Sequence, residues 1–346
     1  MSELPVSIVS PVRNCVAAMP AHAAHLRSLA SVVAEIIVVD SDSTDGTLDC
    51  LKRELDGLGV VFLNHPPGLY QSWNYGITTA IQNYCTIATV GDVLPVGSLK
   101  RLTETIQKFE ADAVISAPEM LDANGGSSKR RWPIHQIIAE SGMSEPRLIE
   151  PAEWLAMTLG FFPATLLSSS AGNLYSTKFL QENPFPSAYG HAGDCVWALE
   201  MGRKARWVID PQVKSYFWVH PISAHRHRRK EEQVRGVSQK AEICFQEAEQ
   251  FLLSAGIPKD FVKILGDAPR QQLEKAMAQI RYDALGKSLF RRFLPEGIGL
   301  KRSLGRVERE IARRHAGTRL FARTLEPNTG PPPADHVCAN SKIQTL

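Results

Sequence analysis

The chain has 346 residues, of which 44% are hydrophobic and 22% charged. This composition is typical of a globular protein with one large domain, or one domain plus an appendage. No run of about 18 apolar residues is present, which argues against a membrane-spanning helix, and we expect no secretory signal at the start. The six cysteines are scattered without a C-x-x-C pair. That pattern argues against a disulfide framework or a zinc ribbon and suits a reducing cytoplasm.

The net charge of +3 conceals an asymmetry along the chain. Residues 1–224 carry 16 Lys/Arg and 22 Asp/Glu, whereas residues 225–326 carry 22 Lys/Arg and 13 Asp/Glu. The basic region can meet anionic lipid, nucleic acid or an anionic substrate. The alternative is a solvated, charge-rich helical appendage.

Short apolar runs alternate with helical segments over the first 120 residues. The predicted strands are Val6–Val9, ending at Ser10 and Pro11, then Ile36–Val39, Val60–Leu63, Thr86–Val90 and Ala113–Ser116. The predicted helices are residues 15–31, started or kinked by Pro20, then Thr47–Leu55, residues 71–82, and residues 98–109 with Ser98 as N-cap. Strand–helix alternation with short connections predicts a parallel α/β sheet.

The rest of the chain is less regular. Residues 121–150 are polar and are predicted to form a long loop, and Arg206–Ile209 to form one more strand. Helices are predicted from about residue 230 to 325. The domains predicted are residues 1–225, a basic helical region at 226–326, and a Pro-rich, disordered tail at 327–346.

Carboxylates follow two of the predicted strands. Asp40 ends the second strand and Asp92 follows the fourth, and ligands of open parallel sheets bind beyond the carboxyl ends of the strands. A carboxylate there can accept from a ribose hydroxyl or hold Mg²⁺ or Mn²⁺. The alternatives are a turn or cap carboxylate for Asp40 and a loop acid for Asp92. No G-x-G-x-x-G or P-loop motif is present, which disfavours dinucleotide and P-loop chemistry.

Four segments together resemble a known family. They are Val6–Asn14, Ile36–Thr47, Gly68–Ile77 and Thr89–Asp92. The second is close to V-V-D-[DSG]-[GD]-S-T-D-G-T, the signature of family 2 glycosyltransferases, and the third is similar to their G-[IL]-[YS]-x-[AS]-x-N-x-G-[IL] segment. The match is best to the branch that makes bacterial surface polysaccharides. The resemblance implies a GT-A-type fold: a single Rossmann-like, mostly parallel sheet flanked by helices, here with a C-terminal helical appendage.

The resemblance also implies a nucleotide-diphosphate sugar donor, held by residues 1–120. The implied donor-binding residues are Pro11, Asn14, Asp40, Ser41, Asn74, Gly91 and Asp92. Asp40 would bind the base or ribose, and Asp92 would bind the diphosphate and a divalent cation, Mg²⁺ or Mn²⁺, with His220 as a second metal ligand. Two departures stand out: Thr89 replaces the first acid of the family's D-x-D motif and Gly91 its last, and Trp73 stands where many relatives carry Arg.

Residues 121–225 would bind the acceptor. By resemblance, Gly172 and Asn173 lie beneath the acceptor sugar with His191 nearby, and Asp194 occupies the position of the general base. Sugar transfer with inversion needs a carboxylate to take the proton of the attacking hydroxyl. The alternatives are a helix N-cap for Asp194, a loop residue for His191 and a turn histidine before proline for His220.

The implied activity is inverting transfer of a sugar to a hydroxyl of a glycan or lipid-linked acceptor. A non-catalytic sugar-nucleotide-binding protein is the main alternative, and a sugar-nucleotide-forming enzyme is disfavoured because no Gly-rich loop follows the first strand. Tyr282–Leu294 carries an apolar stripe with basic flanks, which can lie on an anionic membrane surface or pack on the protein. Sparse aromatic residues in the basic region argue against nucleic acid.

Overall fold

The computed structural model describes residues 3–122, 125–128, 131–162, 164–218 and 231–284. The strands are Leu4–Val12 (β1), Val33–Asp40 (β2), Val61–Asn64 (β3), Tyr84–Ile87 (β4), Asp92–Val93 (β5), Ala113–Ile115 (β6), Glu119–Leu121 (β7), Arg147–Ile149 (β8), Leu174–Ser176 (β9), Trp207–Ile209 (β10) and Tyr216–Trp218 (β11). The α-helices are Met19–Ala30 (α1), Thr47–Glu54 (α2), Leu69–Thr79 (α3), Val96–Phe109 (α4), Pro133–Ser141 (α5), Pro151–Phe161 (α6), Thr177–Glu182 (α7), Gly193–Glu200 (α8), Glu231–Ser254 (α9) and Lys259–Ala284 (α10).

Eight strands form one mostly parallel sheet in the order β3-β2-β1-β4-β9-β6-β10-β8. Among these described strands, β9 and β8 run antiparallel to their neighbours. This confirms the predicted α/β class and the mostly parallel sheet. The first strand is longer than predicted: β1 continues through Pro11, and Val12 still pairs with Asp40.

The central strands are mostly apolar because helices cover both faces of the sheet. In β2, Ile37 and Val39 face a core shared with α3, α6 and α8. The alternate residues Ile36 and Val38 face a second core shared with α1, α2 and α4. The period-two alternation of a strand therefore divides one continuous apolar run between two cores.

A second, three-stranded sheet lies beyond the end of β4, in the order β5-β11-β7. β4 ends at Ile87, three residues earlier than predicted, and the chain turns before Asp92 begins β5. Asp92 pairs antiparallel with Phe217 of β11. This small sheet therefore fixes the backbone of Asp92, one of the predicted site residues.

Two local predictions are wrong. Residues 121–150 are not one long loop, because they contain α5 and β8. α5 buries Ile134 and Ile137 on one short face, a signal diluted by the polar residues around it. Ser98 is not an N-cap either, because α4 begins at Val96 and Pro95 occupies the cap position.

The described part of the C-terminal region is a pair of helices that packs on the sheet domain. α9 and α10 contribute Phe245, Leu252 and Leu265 to a third core, shared with Leu155 of α6 and Val196 of α8. None of the described helices is long and apolar enough to cross a bilayer. Most of the stripe at Tyr282–Leu294, and the predicted disordered tail, lie outside the described residues.

Candidate functional site

Asp40 lies at the carboxyl edge of the sheet, where sequence analysis predicts it. It is the last residue of β2, between Val12 of β1 and Asn64 of β3, and is only 2% exposed. Its Oδ2 accepts a hydrogen bond of 2.9 Å from the Ser43 amide. Its Oδ1 is buried and has no hydrogen-bond partner among the described residues. A buried carboxylate oxygen without a donor is costly, so this one suits a ligand N–H or O–H.

Pro11 and Asn14 lie beside Asp40 at the end of β1. Pro11 pairs with Val39. Asn14 adopts a positive φ of 44° and joins the two loops, because its side-chain oxygen accepts from the Thr44 amide at 2.9 Å and its own amide donates to Ser43 Oγ at 3.0 Å. The structure therefore shows Asn14 shaping the loop that bonds Asp40.

Ser41 connects this edge to the first turn of α3. Its Oγ lies 2.7 Å from Ser72 Oγ, and Ser72 donates to the Gly68 carbonyl at 2.7 Å. Asn74, on the same helix, hydrogen-bonds the protein backbone instead. Its side-chain nitrogen donates to the Phe185 carbonyl at 2.8 Å, and its side-chain oxygen accepts from the Phe185 amide at 3.0 Å. The side-chain nitrogen and oxygen of Asn74, which would contact a ligand, are therefore both hydrogen-bonded within the protein.

Asp92 is the second buried carboxylate of this edge. It is 3% exposed, and its Oδ2 accepts from Thr89 Oγ1 at 2.5 Å, the Thr89 amide at 3.3 Å and Ser170 Oγ at 3.3 Å. Its Oδ1 is buried and unpartnered among the described residues. Burial raises the pKa of Asp92 to about 7, although the hydrogen bonds from Thr89 and the serines oppose that rise.

Glycines allow the backbone to fold tightly around Asp92. Gly91 has a φ of 97°, and its carbonyl accepts from the Trp218 amide at 3.1 Å. Gly172 has a φ of 82°, and a Cβ there would clash with the hydroxyls of Ser116 and Ser215. Only glycine adopts such a position without strain.

Asn173 is fully buried, and its side chain hydrogen-bonds the protein backbone. Its Oδ1 accepts from the Ser116 amide at 3.1 Å, and its Nδ2 donates to the Leu167 carbonyl at 2.7 Å. Gly172 and Asn173, predicted to bind the acceptor, thus hold the serine-rich loop of residues 168–170 against β6. Their contact with an acceptor stays a prediction.

Asp194 lies in the first turn of α8 and is held by α3. The Asp194 amide donates to the Tyr70 hydroxyl at 3.1 Å, and Gly193 packs so closely on the Tyr70 ring that a Cβ would lie 2.5 Å from it. The N-cap position of α8 is Ala192 and not Asp194, but Asp194 Oδ1 accepts a hydrogen bond of 2.8 Å from the Cys195 amide in the first turn of this helix. Burial raises the pKa of Asp194, opposed by hydrogen bonds from Cys195, Tyr70 and Thr165. A raised pKa makes a carboxylate a stronger base.

The elements that carry the three carboxylates are linked by side-chain contacts. Ser41, next to Asp40, bonds to the first turn of α3, and Tyr70 of that turn bonds to Asp194. The segment between α6 and β9 reaches Asp194 through Thr165 and Asp92 through Ser170. That the three carboxylates line one cleft stays a prediction.

The structure gives no side-chain geometry for His191 or His220, the two predicted site histidines. His191 belongs to a 3₁₀ helix at Ser187–Ala192 that leads into α8, and its side chain is not described. His220 lies outside the described residues. Within the described part of the chain, no group of three or more His, Cys, Asp or Glu side chains is arranged to hold a metal ion.

Sequence reasoning missed four residues of the site. Tyr70 and Thr165 hydrogen-bond Asp194, and Thr89 and Ser170 hydrogen-bond Asp92. Tyr70 and Thr89 lie inside the segments that carry the family resemblance, but no pattern in the sequence indicates what they contact. Ser170 begins the small-residue segment that resembles the family's acceptor side, but nothing there indicates a bond to Asp92, and Thr165 carries no signal.

Known proteins are similar to this chain in sequence and fold. Residues 7–164 match the model of the family described as "Glycosyl transferase family 2". The chain is 28% identical over 130 residues to the glycosyltransferase GlyG of Streptococcus pneumoniae serotype 4, an alignment that covers 37% of this chain and 43% of GlyG. It therefore spans less than half the length of that relative.

Two solved structures share the fold. Residues 1–349 of Staphylococcus aureus TarS in complex with UDP-GlcNAc superpose with a TM-score of 0.56 at 15% identity, covering 94% of this chain and 88% of that one. The mannosyltransferase PcManGT of Pyrobaculum calidifontis in complex with GDP-Man and Mn²⁺ gives a TM-score of 0.51 at 16% identity, covering 94% and 87%. Residues 7–164 of this chain are therefore similar to glycosyl transferase family 2, and its mostly parallel sheet is similar to that of structures with the GT-A fold.

Proposed function

We propose that the protein is an inverting glycosyltransferase that moves a sugar from a nucleotide-diphosphate donor to a hydroxyl of a glycan or lipid-linked acceptor. The observation that carries the proposal is that Asp40 and Asp92, which follow neighbouring parts of the sheet, each keep a buried carboxylate oxygen without a hydrogen-bond partner among the described residues. The family match and the nucleotide sugars bound to TarS and PcManGT support this reading.

Asp40 binds the nucleoside. Its Oδ1 has no donor in the described protein and lies between the ends of β1 and β3, so a base N–H or a ribose hydroxyl supplies the missing donor. Pro11, at the neighbouring strand end, lines the same pocket. Ser41 and Asn14 keep the loop in place, and their direct contact with the donor is part of the proposal.

Asp92 binds the diphosphate side of the donor through a divalent cation. The residues present fit such an ion modestly: Asp92 offers one unpartnered oxygen, and the described residues add no cluster of acids around it. Hard cations such as Mg²⁺ and Mn²⁺ take oxygen ligands from phosphates and water as well as from carboxylates. The cation would stabilise the charge of the departing diphosphate. His220 stays a proposed second ligand.

Asp194 acts as general base. Asp194 is partly buried and desolvation raises its pKa, so the ionised form gains a proton more readily than a fully exposed aspartate does. It would accept the proton of the acceptor hydroxyl while that oxygen attacks the anomeric carbon from the face opposite the diphosphate. Gly172, Asn173 and His191 are proposed to form the acceptor side.

Asp194→Asn tests the proposal. Wild type is incubated with UDP-GlcNAc and GDP-Man, with and without Mn²⁺, and release of UDP or GDP is measured. We expect the variant to lose at least about a hundredfold in turnover while its nucleotide affinity stays within twofold. Asp49→Asn, an exposed carboxylate in the first turn of α2, is the matched control and should behave as wild type. Equal turnover by Asp194→Asn and wild type would contradict the assignment.

The second candidate function is binding of a sugar nucleotide without turnover. The small number of acids in the motif favours this function, because Thr89 and Gly91 leave Asp92 as the single carboxylate of residues 89–92. A binder would take up nucleotide with no diphosphate release from any donor, and Asp194→Asn would change neither property.

The basic region at 226–326 is proposed to give a peripheral contact with anionic membrane at the cytoplasmic face. Its net positive charge supports this. Co-sedimentation with phosphatidylglycerol vesicles, compared with phosphatidylcholine vesicles, tests the contact. Equal binding to both would contradict it.

A further inference from the structure

The carboxylate of Asp92 is bonded on one side only. Oδ2 accepts hydrogen bonds from the Thr89 hydroxyl and amide and from Ser170 Oγ, and the Ser169 hydroxyl also interacts with the carboxylate, whereas Oδ1 has no partner in the described protein. The shortest, from Thr89 Oγ1 at 2.5 Å, is in the range of a charge-assisted O–H···O⁻ bond. Donors on one oxygen alone fix the rotation of a carboxylate and decide which lone pairs stay free.

The two hydroxyl-bearing residues are themselves held by the fold. Thr89 sits in a tight turn closed by the Asp92 amide, which donates to the Thr89 carbonyl at 3.0 Å. The loop of Ser170 is bonded on its far side, because Ser116 Oγ donates to the Gly172 carbonyl at 2.7 Å and Ser215 Oγ to the Ala171 carbonyl at 3.3 Å. Neither hydroxyl depends on a ligand for its position.

An unpartnered oxygen in a carboxylate so deeply buried costs free energy. The fold nevertheless directs the Thr89 and Ser170 donors to Oδ2 and leaves Oδ1 without one among the described residues. Where two acids of the family motif are missing, Thr89 occupies the first of those positions and donates to the acid that remains.

We infer that Thr89 and Ser170 are positioning residues that hold Asp92 with its Oδ1 free for a divalent cation. The inference rests on the proposed function and assigns these two residues a role toward the cation without making them ligands. It explains how a site with one carboxylate can retain metal: the single acid is fixed in advance, so little conformational entropy is lost when the ion binds.

Mn²⁺ binding in the presence of UDP tests the inference directly. Free Mn²⁺ is followed by electron paramagnetic resonance during titration of wild type, Thr89→Val, Thr89→Ser and Ser170→Ala, with thermal melting as the check on folding. Thr89→Val and Ser170→Ala should each weaken Mn²⁺ binding by about tenfold, the usual loss for a residue that orients a metal ligand. Thr89→Ser restores the hydroxyl and should bind within about threefold of wild type.

Ser168→Ala is the matched control, because Ser168 lies on the same loop and donates to Ser169 and Ser116 carbonyls rather than to Asp92. Its Mn²⁺ affinity should equal that of wild type. Wild-type affinity in both Thr89→Val and Ser170→Ala would overturn the inference. So would wild type that transfers sugar at full rate in a chelator, an outcome that leaves the proposed glycosyltransferase intact. Absence of both nucleotide binding and turnover in wild type would instead overturn the proposed function.

Discussion

At the scale of single residues, the site is marked by polar atoms that the fold buries without satisfying. Asp40 and Asp92 each keep one carboxylate oxygen unpartnered in the described structure, although both are nearly inaccessible to solvent. By contrast, Asp210 is equally buried but accepts from Arg101 and Thr105. Asp210 is a satisfied structural acid and the two site acids are not, so hydrogen bonding alone separates them.

Asp92→Asn should stabilise the ligand-free protein above neutral pH. Burial raises the pKa of Asp92 to about 7 in the folded protein, whereas the pKa in the unfolded chain is about 3.9. The stability that the protonated carboxyl contributes is therefore complete below the unfolded-state pKa and is lost as the pH rises through 7. Asparagine does not ionise, so the variant does not lose this stability as the pH rises. We expect urea unfolding at pH 8 to show a gain on the order of 1–3 kcal/mol, smaller at pH 5. A variant less stable than wild type at pH 8 would contradict this reading.

Tyr70→Phe should shift the pH dependence of catalysis. The Tyr70 hydroxyl is among the donors that lower the pKa of Asp194 against the rise caused by burial. Without it, Asp194 takes up a proton at higher pH, so the acidic limb of kcat/KM should move to higher pH. Tyr75→Phe, on the exposed side of the same helix, is the control. An equal loss at every pH would show a structural role only.

At the scale of elements, the first turn of α3 joins the loop after Asp40 to Asp194. Ser72 contacts Ser41, and Tyr70 contacts Asp194. An aromatic cluster steadies this turn, because Tyr70, Trp73 and Phe185 meet with ring centroids 5.2 to 5.7 Å apart. Trp73, which replaces the arginine of many relatives, is thus part of the support for Tyr70.

Gly172→Ala should disturb the loop that carries Ser170. The new Cβ clashes with Ser116 and Ser215, and the φ of 82° is unfavourable for alanine. We expect a loss on the order of 1–3 kcal/mol of unfolding free energy, measured by urea titration. Gly97→Ala in α4 is the control, since nothing lies within 4 Å of its Cβ position. That change should leave stability unchanged or slightly higher.

The sequence predicts the main elements and strand-end acids well, for a physical reason. Runs such as Ile36–Val39 are buried on both faces, so their hydrophobicity is continuous, and parallel strands bring the residues after them to one edge of the sheet. The same local signals fail for Tyr70 and Asp194, whose contact spans 124 positions. They fail also for α5, where the apolar face is short. Contacts that close the site depend on tertiary packing, which local patterns do not encode.

At the scale of the whole molecule, three cores support the site. Two lie on the faces of the sheet, and the third joins α6 and α8 to the helix pair α9–α10. The boundary predicted at residues 225 and 226 remains a prediction. The packing shows that residues 241–265 nevertheless share a core with the helix that carries Asp194.

Phe245→Ala should therefore destabilise the sheet domain along with the helix pair. Phe245 is fully buried and meets Phe162 edge-to-face at 5.1 Å. We expect a loss of about 3–5 kcal/mol, seen as one cooperative transition at lower denaturant. Ile243→Ala is the control on the same helix, because that side chain is half exposed. Two separate transitions in wild type would show that the helix pair unfolds independently.

α8 is enclosed on opposite sides, by Trp197 and Ala198 toward the sheet and by Val196 and Leu199 toward the helix pair. Packing on two opposite sides restrains sliding and rotation of this short helix, so the position of Asp194 is set by the fold. Under the proposed function, the acceptor hydroxyl has to be delivered to that carboxylate, and the choice of acceptor would depend on which molecules can reach it.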